Sequence, residues 1–186
     1  METKAGDPGA FARFDLTRVP SPAFVVDAAK VRANLAVLRG IGDASGAKVL
    51  AALKAFSMWS LGPTVADYLD GVCASGLFEA RLGREEYGGE VATYCAGYKE
   101  ADLPEIARLS DHLIFNSPFQ IARFRPLLDQ LRSDGVTFDI GLRLNPEHSE
   151  GEVAKYDPAA PCSRLGFPVS QLRPEHLAGV SGVHMH

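Results

Sequence analysis

A lysine at the end of an apolar segment is the first candidate for chemistry. Lys54 directly follows Lys48–Leu53, a short run that is apolar after its first residue. Such a run predicts a strand buried on both faces of a parallel sheet. Burial disfavours the ammonium form and lowers the lysine pKa, which leaves a neutral amine able to attack a carbonyl carbon. The alternative is that Lys54 lies one residue beyond the strand and extends its side chain into solvent.

Two histidines near the end of the sequence form a second candidate. His184 and His186 are two apart in the predicted strand Gly179–His186, so both side chains point to the same side of the strand and toward the same site. An H-x-H pair suits a metal ion, and a metal-dependent barrel hydrolase is one hypothesis. The sequence places no further ligand clearly, so we predict no metal site. For His184 alone, the alternative is a core histidine hydrogen-bonded to a neighbour.

Polar residues also follow other predicted strands. Ser75 and Asn116 do so and are weaker candidates for lining a site, whereas Arg143 ends the apolar segment Ile140–Leu142. A charge that faces the interior needs a partner. We therefore expect Arg143 to orient a carboxylate or a cofactor, or to pair with an acid such as Glu79.

The elements that position these residues alternate between strand and helix. Helical spacing marks segments such as Leu77–Tyr87 and Ala101–Leu109. The predicted strands are Lys48–Leu53, Gly71–Ala74, Val91–Cys95, His112–Asn116, Thr137–Leu144 and Gly179–His186. Close alternation predicts an α/β fold with parallel strands, and a doubly wound open sheet would also permit it. Because polar or small residues repeatedly follow the strands, we favour a (β/α)₈ barrel, in which the carboxyl ends of the strands surround one mouth.

Only part of a barrel can be counted. A closed barrel has eight strands and about 250 residues, whereas the sequence has six predicted strands in 186 residues and stops on a strand. We therefore expect an incomplete, N-terminal portion with three parts: a polar lead (1–19), a strand and helix preceding the barrel (20–46), and a partial barrel (47–186).

In the middle part, Pro22–Val26 predicts a strand. The helix after it is predicted to be capped by Asp27 and to bury a stripe of Val31, Leu35 and Leu38.

Composition limits the classes of protein. The chain is 46% apolar and 23% charged, with a net charge of -4, as in ordinary globular proteins. This mild acidity does not favour a nucleic-acid partner, and no apolar run is long enough to cross a bilayer. Cys73, Cys95 and Cys162 lie far apart without a C-x-x-C spacing, which disfavours a disulfide framework or a structural zinc site. Residues 1–9 lack the pattern of a secretory signal, so we expect a cytoplasmic protein.

Several stretches resemble one known group of enzymes. They are SPAFVVD, KVLAALKAFSMW, DGVCASGLFEARLGREEYGGE, HLIFNS, GLRLNPEHSE, YDPAAPCSRLGF and GVHMH, and they run from about residue 20 to the end. They resemble the alanine-racemase-like (fold type III) group of pyridoxal 5'-phosphate (PLP) enzymes, which joins a barrel to a C-terminal β domain. Within that group the chain is most similar to carboxynorspermidine (carboxyspermidine) decarboxylases.

The resemblance implies a function and a site. Lys54 would attach covalently to PLP, His186 would stack on the cofactor ring, and Arg164 would lie near its phenolic oxygen. For Arg164 the alternative is an exposed loop arginine. The implied reaction is decarboxylation of carboxynorspermidine or carboxyspermidine in polyamine biosynthesis, by a homodimer when the protein is full length. Phosphate-binding glycines, substrate-binding acids and the β domain would lie downstream, so we expect these 186 residues to be inactive alone.

Three further hypotheses remain open. Another member of the group, such as diaminopimelate decarboxylase, ornithine decarboxylase or a racemase, would share the same chemistry. A non-catalytic PLP-binding barrel protein for cofactor homeostasis would lack the β domain. The metal-dependent hydrolase would use the H-x-H pair.

Overall fold

Seven short strands, all paired in parallel, form one sheet in the computed structural model, which describes residues 9–151, 153 and 156–186. The first five strands are neighbours in chain order, and the fifth also pairs with the last two. The strands are β1 (Leu50–Ala52), β2 (Gly71–Ala74), β3 (Glu90–Cys95), β4 (His112–Phe115), β5 (Asp139–Asn145), β6 (Phe167–Pro168) and β7 (Gly182–His184). The predicted parallel α/β fold is therefore confirmed. Each of the six predicted strands overlaps one of these, with β3 starting one residue earlier and β5 ending one residue later than predicted, and only β6 is additional among the described strands.

Helix α1 (Ala28–Ser45) precedes β1, and one helix lies in each of the four connections between the first five strands. These four are α2 (Gly62–Ala66), α3 (Leu77–Leu82), α4 (Leu103–Leu109) and α5 (Pro118–Ser133). Single 3₁₀ turns occur at Gly9–Phe11, Leu16–Arg18, Trp59–Leu61, Val169–Gln171 and Pro174–Leu177, and α3 continues into a wide π turn at Gly83–Tyr87. In the described part of the chain, none of the helices combines the length and the apolar character needed to span a bilayer.

Helix α1 begins at the predicted aspartate cap and ends at a glycine. The Asp27 carboxylate accepts hydrogen bonds from the backbone N–H groups of Ala29 and Lys30, so the predicted cap is confirmed. Gly46 ends the helix in the left-handed conformation, and its N–H donates to the Gly42 carbonyl. Leu35 is buried against the sheet, whereas Leu38, predicted in the same stripe, is exposed.

The predicted strand at Pro22–Val26 is wrong. This segment pairs with none of the described strands, and the Phe24 side chain is 96% exposed. A strand requires a hydrogen-bonded neighbour, and the β-branched and aromatic composition of the segment does not provide one. Residues 1–8 of the predicted lead lie outside the described residues, and the division at residues 19 and 46 stays a prediction.

The core lies on one side of the sheet. In β2, Val72 and Ala74 are buried under the helices, but Cys73 between them is exposed on the opposite side. The same helix-facing layer contains Val91, Leu113, Phe115, Ile140 and Leu142, all fully buried. Burial on both faces was predicted for β1, and this is wrong because Ala52 is exposed. The uncovered side of the sheet is therefore available for a site.

Candidate active site

A cavity of about 510 Å³ lies at the carboxyl ends of the strands. Parallel strands carry their carboxyl ends to one edge, so residues that follow different strands meet there. Five residues predicted for the site line this cavity: Lys54, Ser75, Arg143, Arg164 and His186. Asn116 and His184, the two other predicted residues, lie next to it and contact its wall, as described below.

Lys54 lines the cavity but is not buried. It lies in the turn after β1, where the Ala52 carbonyl accepts from the N–H groups of Ala55 and Phe56. Leu53 points into the core, and the next side chain, Lys54, is exposed. The predicted burial of Lys54 is wrong, because among the described strands β1 pairs only with β2 and its open side lies uncovered. Its position beside the other predicted residues does not depend on that burial.

Arg143 is the buried cation of the site. Its side chain is on β5 and only 5% of the residue is exposed, and its guanidinium carbon lies 4.7 Å from the centre of the Tyr94 ring. The predicted pairing with Glu79 is wrong, since the Glu79 carboxylate accepts from the Ser75 backbone N–H at 2.7 Å. Among the described residues, Arg143 has no carboxylate partner and its Nε lacks a hydrogen-bond acceptor. A buried, incompletely satisfied cation indicates that an anion binds here.

Tyr94 is part of the site although the sequence did not single it out. It lies at the carboxyl end of β3, lines the cavity, and donates from its hydroxyl to Asn116 Oδ1 at 2.7 Å. Burial raises the Tyr94 pKa despite the opposing charge of Arg143, so the hydroxyl keeps its proton at neutral pH. A polar residue at the end of each of the other predicted strands was named as a candidate, but none was named for β3. This missing candidate was the signal in the sequence that could have identified Tyr94.

Asn116 does not line the cavity but hydrogen-bonds the segment that forms part of its wall. Its Nδ2 donates to the Arg164 carbonyl at 2.8 Å, and its Oδ1 also accepts from the Gly166 N–H at 2.7 Å. Gly166 adopts φ +82°, and an added Cβ would lie 2.8 Å from the Asn145 nitrogen. The segment Arg164–Gly166 is thus fixed against the ends of β4 and β5, and Arg164 extends from it into the cavity.

The two histidines of the H-x-H pair occupy different environments. His186 is exposed and lines the cavity. His184 is half-buried with its ring 5.2 Å from the Tyr94 ring, and it borders a separate hollow of about 320 Å³ with Ala92 and Gly141. Burial lowers the His184 pKa to about 4, with a further contribution from the positive charge of Arg143, so the imidazole is neutral at pH 7.

The structure also bears on the two other hypotheses for these histidines, a core His184 hydrogen-bonded to a neighbour and a metal site. The predicted hydrogen bond from a core His184 to a neighbour is not seen at Nδ1, which has no partner among the described residues. In the same part of the chain, no group of three His, Cys, Asp or Glu side chains is arranged to hold a metal ion.

The electrostatics of the cavity favour an anionic ligand. Lys54, Arg143 and Arg164 all line it, and no acidic side chain is among its described lining residues. PLP carries an aldehyde, a phosphate and an ionisable phenolic oxygen, so the Lys54 amine and the two arginines suit it. The orphaned Arg143 Nε is consistent with the same interpretation.

Comparison with known proteins identifies the relatives of this chain. No protein-family model matches it. It is 36% identical over 169 residues to the carboxynorspermidine/carboxyspermidine decarboxylase of Campylobacter jejuni, an alignment that covers 91% of this chain and 42% of that protein. The chain is similar to carboxynorspermidine/carboxyspermidine decarboxylases. The resemblance predicted from the sequence is therefore confirmed.

A second relative has a different named substrate. The carboxyaminopropylagmatine decarboxylase of Synechocystis is also 36% identical, over 92% of this chain and 43% of that protein. Overall identity thus does not separate these two kinds of decarboxylase. The chain spans about two fifths of the length of both relatives.

Solved structures show the same fold. The crystal structure of carboxynorspermidine decarboxylase complexed with norspermidine from Campylobacter jejuni matches with a TM-score of 0.74 and 33% identity, covering 90% of this chain and 41% of that one. Diaminopimelate decarboxylase from M. jannaschi matches with a TM-score of 0.59 at 15% identity, covering 84% of this chain and 39% of that one. This second match supports the fold alone. The predicted barrel architecture is confirmed for the part of these structures that the chain covers.

Proposed function

We propose that this chain carries the lysine-bearing part of a PLP-dependent decarboxylase that acts on carboxynorspermidine or carboxyspermidine. The observation that carries the proposal is the meeting of Lys54, Arg143 and Arg164 at one cavity without a described acidic residue, in a chain similar to these decarboxylases. By the same resemblance we propose a homodimer when the protein is full length, and we also propose a cytoplasmic location. The inactivity of these 186 residues alone stays a prediction.

Each residue has a proposed role that follows from its position. Lys54 Nζ is the amine that would hold the cofactor aldehyde, and Arg164 would stabilise the ionised phenolic oxygen as a fixed cation. His186 would stack on the ring, and Arg143 would attract an anionic group from its buried position. Ser75 lines the wall, and its N–H is held by Glu79. Bound PLP would supply the sink for the electron pair that remains when the carboxylate leaves as CO₂.

Neutral His184 and protonated Tyr94 limit the charge of the site. Burial keeps both side chains uncharged at pH 7, so neither adds a charge beside the lysine and the two arginines of the cavity. Because these two side chains are neutral, they neither repel an anion nor pair with the basic residues that would bind it. The face of the Tyr94 ring contacts the Arg143 guanidinium.

Covalent trapping tests the proposal. The chain is incubated with PLP, reduced with borohydride, digested and analysed by mass spectrometry. We expect modification of Lys54 first, and its loss in Lys54→Ala but not in Lys30→Ala, a matched exposed lysine on α1. Equal labelling of Lys30 and Lys54 would refute a dedicated site.

The substrate needs a separate assay because the relatives carry two substrate names. CO₂ release is measured with carboxynorspermidine, carboxyspermidine and carboxyaminopropylagmatine, using a protein that includes the region absent from this chain. We expect turnover of the first two and its loss in Lys54→Ala. Turnover of carboxyaminopropylagmatine alone would overturn the substrate assignment but not the role of Lys54.

A further inference from the structure

We propose that Tyr94 is a positioning residue that sets the places of both Arg143 and Arg164, and thereby the affinity of the cavity for a phosphate-bearing cofactor. The last clause rests on the proposed function, whereas the positioning itself does not. Tyr94 makes three contacts in the described structure that act on different parts of the site: with Arg143, with Asn116 and with His184.

The first contact holds Arg143 through the aromatic ring. The guanidinium carbon lies 4.7 Å from the ring centre, within the range of a cation–π interaction, and guanidinium groups stack well on aromatic faces. Arg143 has no carboxylate partner among the described residues to orient it. The ring of Tyr94 therefore provides the main directional contact of this buried cation.

The second contact reaches Arg164 through an amide. The Tyr94 hydroxyl donates to Asn116 Oδ1, which also accepts from the Gly166 N–H, and Asn116 Nδ2 donates to the Arg164 carbonyl. The hydroxyl and the Gly166 N–H together fix which end of the amide carries the oxygen, and this orientation directs Nδ2 toward the Arg164 carbonyl. Loss of the hydroxyl would remove one of the three described hydrogen bonds that hold the side-chain amide and would loosen the segment Arg164–Gly166.

Protonation of Tyr94 is compatible with this role. A tyrosine must keep its proton to donate to an amide oxygen, and burial raises the Tyr94 pKa. The groups that act on it are Arg143, Arg164 and Cys95, and the neighbouring His184 is neutral at pH 7. The donor is therefore present throughout the neutral range.

Two substitutions separate the two contacts. Tyr94→Phe keeps the ring and removes the hydroxyl, whereas Tyr94→Leu removes both. The first readout is the Arg143 Nε–Hε signal in a ¹H–¹⁵N NMR spectrum of the chain without PLP, assigned by its loss in Arg143→Lys. We expect this signal to carry a ring-current shift in the wild-type chain and in Tyr94→Phe, and to lose it in Tyr94→Leu.

The second readout is the dissociation constant of PLP, measured by its absorbance change. We expect Tyr94→Phe to weaken binding by about 3- to 10-fold, the effect of one net hydrogen bond. Asn116→Ala should weaken it similarly, and the double variant should lose no more than Asn116→Ala alone, because both act through the same amide. Tyr94→Leu should weaken binding further than Tyr94→Phe.

The outcomes separate this inference from the proposed function. Absence of a Lys54 adduct in the wild-type chain would remove the proposed function, and the NMR readout would still decide whether Tyr94 positions Arg143. An unchanged Arg143 signal in Tyr94→Leu, or additive losses in Tyr94→Phe and Asn116→Ala, would overturn the inference. If Tyr94→Leu does not fold, Tyr94→Phe and the double variant decide alone. If Tyr94 had a purely structural role, Tyr94→Phe would lower the melting temperature, and its effect on PLP affinity would show no coupling to that of Asn116→Ala.

Discussion

Asn116 donates from its side-chain amide to the backbone carbonyl of Arg164 at 2.8 Å, a contact between residues 48 apart in sequence. The same amide accepts from the Tyr94 hydroxyl and the Gly166 N–H. One side chain after β4 thereby links a residue of β3 to the segment that precedes β6. The shape of the cavity wall depends on this link.

Replacing Asn116 with alanine should destabilise the protein. The change leaves the Tyr94 hydroxyl and the Gly166 N–H without their acceptor, and both are part-buried in these bonds. We expect the free energy of unfolding to fall by about 1–3 kcal/mol. Urea denaturation measures it, with Asn34→Ala on the exposed surface of α1 as the control. Equal effects of the two substitutions would contradict the link.

Gly166→Ala tests the backbone of the same segment. Gly166 has φ +82°, and its Cβ would lie 2.8 Å from the Asn145 nitrogen and 2.9 Å from the Leu144 carbonyl carbon. We expect a loss of about 1–3 kcal/mol from the strained conformation. Gly40→Ala is the matched control, because a Cβ there meets nothing within 4 Å and alanine favours the helix. Thermal unfolding should show opposite shifts, and two shifts of the same sign would refute this reasoning.

The stability of the protein should depend on His184 below neutral pH. Its pKa is lowered to about 4 from 6.5, by burial and then by Arg143. The unfolded chain binds this proton at a higher pH than the folded one, so the free energy of unfolding falls as the pH falls from 6.5 to 4. We expect about 1–2 kcal/mol from this residue, after discounting for partial exposure.

His184→Gln removes that titration. Denaturant unfolding at several pH values should show a flatter profile for this variant between pH 6.5 and 4 than for the wild-type chain. His148→Gln is the control, since its side chain is 78% exposed. Parallel profiles for the wild-type chain and His184→Gln would show that the imidazole is not held neutral by the fold.

Cys95 should react slowly with alkylating reagents. Burial raises the Cys95 pKa to about 11, and the negative charges of Glu79 and Asp102 raise it in the same direction by smaller amounts. The Cys95 Sγ also donates a hydrogen bond to the Ser75 carbonyl. Because the thiolate is the nucleophile, we expect Cys95 to be labelled by iodoacetamide at least about 10-fold more slowly than exposed Cys162. Peptide mass spectrometry follows both sites. The difference should vanish in urea, and similar rates in the folded chain would be inconsistent with this environment.

The sequence predicted the strands well where burial follows from the local pattern of apolar residues. Runs such as Gly71–Ala74 alternate with helices, and the helix-facing residues of each run are buried as a local pattern requires. Pro22–Val26 has similar composition but no paired neighbour, and pairing is a long-range property. The burial of Lys54 failed for the same reason, because it depends on what covers the other side of β1.

The sequence predicted which residues line the candidate site better than it predicted which of them contact one another. Residues that follow strands, such as Lys54 and Ser75, meet because parallel strands share one carboxyl edge. The partner of Arg143 was not predictable, since an aromatic ring on another strand competes with any acid for a guanidinium. Tyr94 was missed because an aromatic residue inside an apolar run is typical of strand packing.

The purely parallel pairing of the sheet has a consequence for how the molecule acquires its shape. No two neighbouring strands among β1–β5 are joined by a hairpin, so each pairing closes a loop that contains a helix or an equivalent connection. Contacts between sequence-distant residues carry an entropic cost that slows folding. Tyr94, Asn116 and Arg164 join three such separated segments, so we expect their hydrogen bonds to form after the β3–β4 pairing. In refolding followed by hydrogen exchange, the Gly166 amide should therefore gain protection later than the amides of β3 and β4.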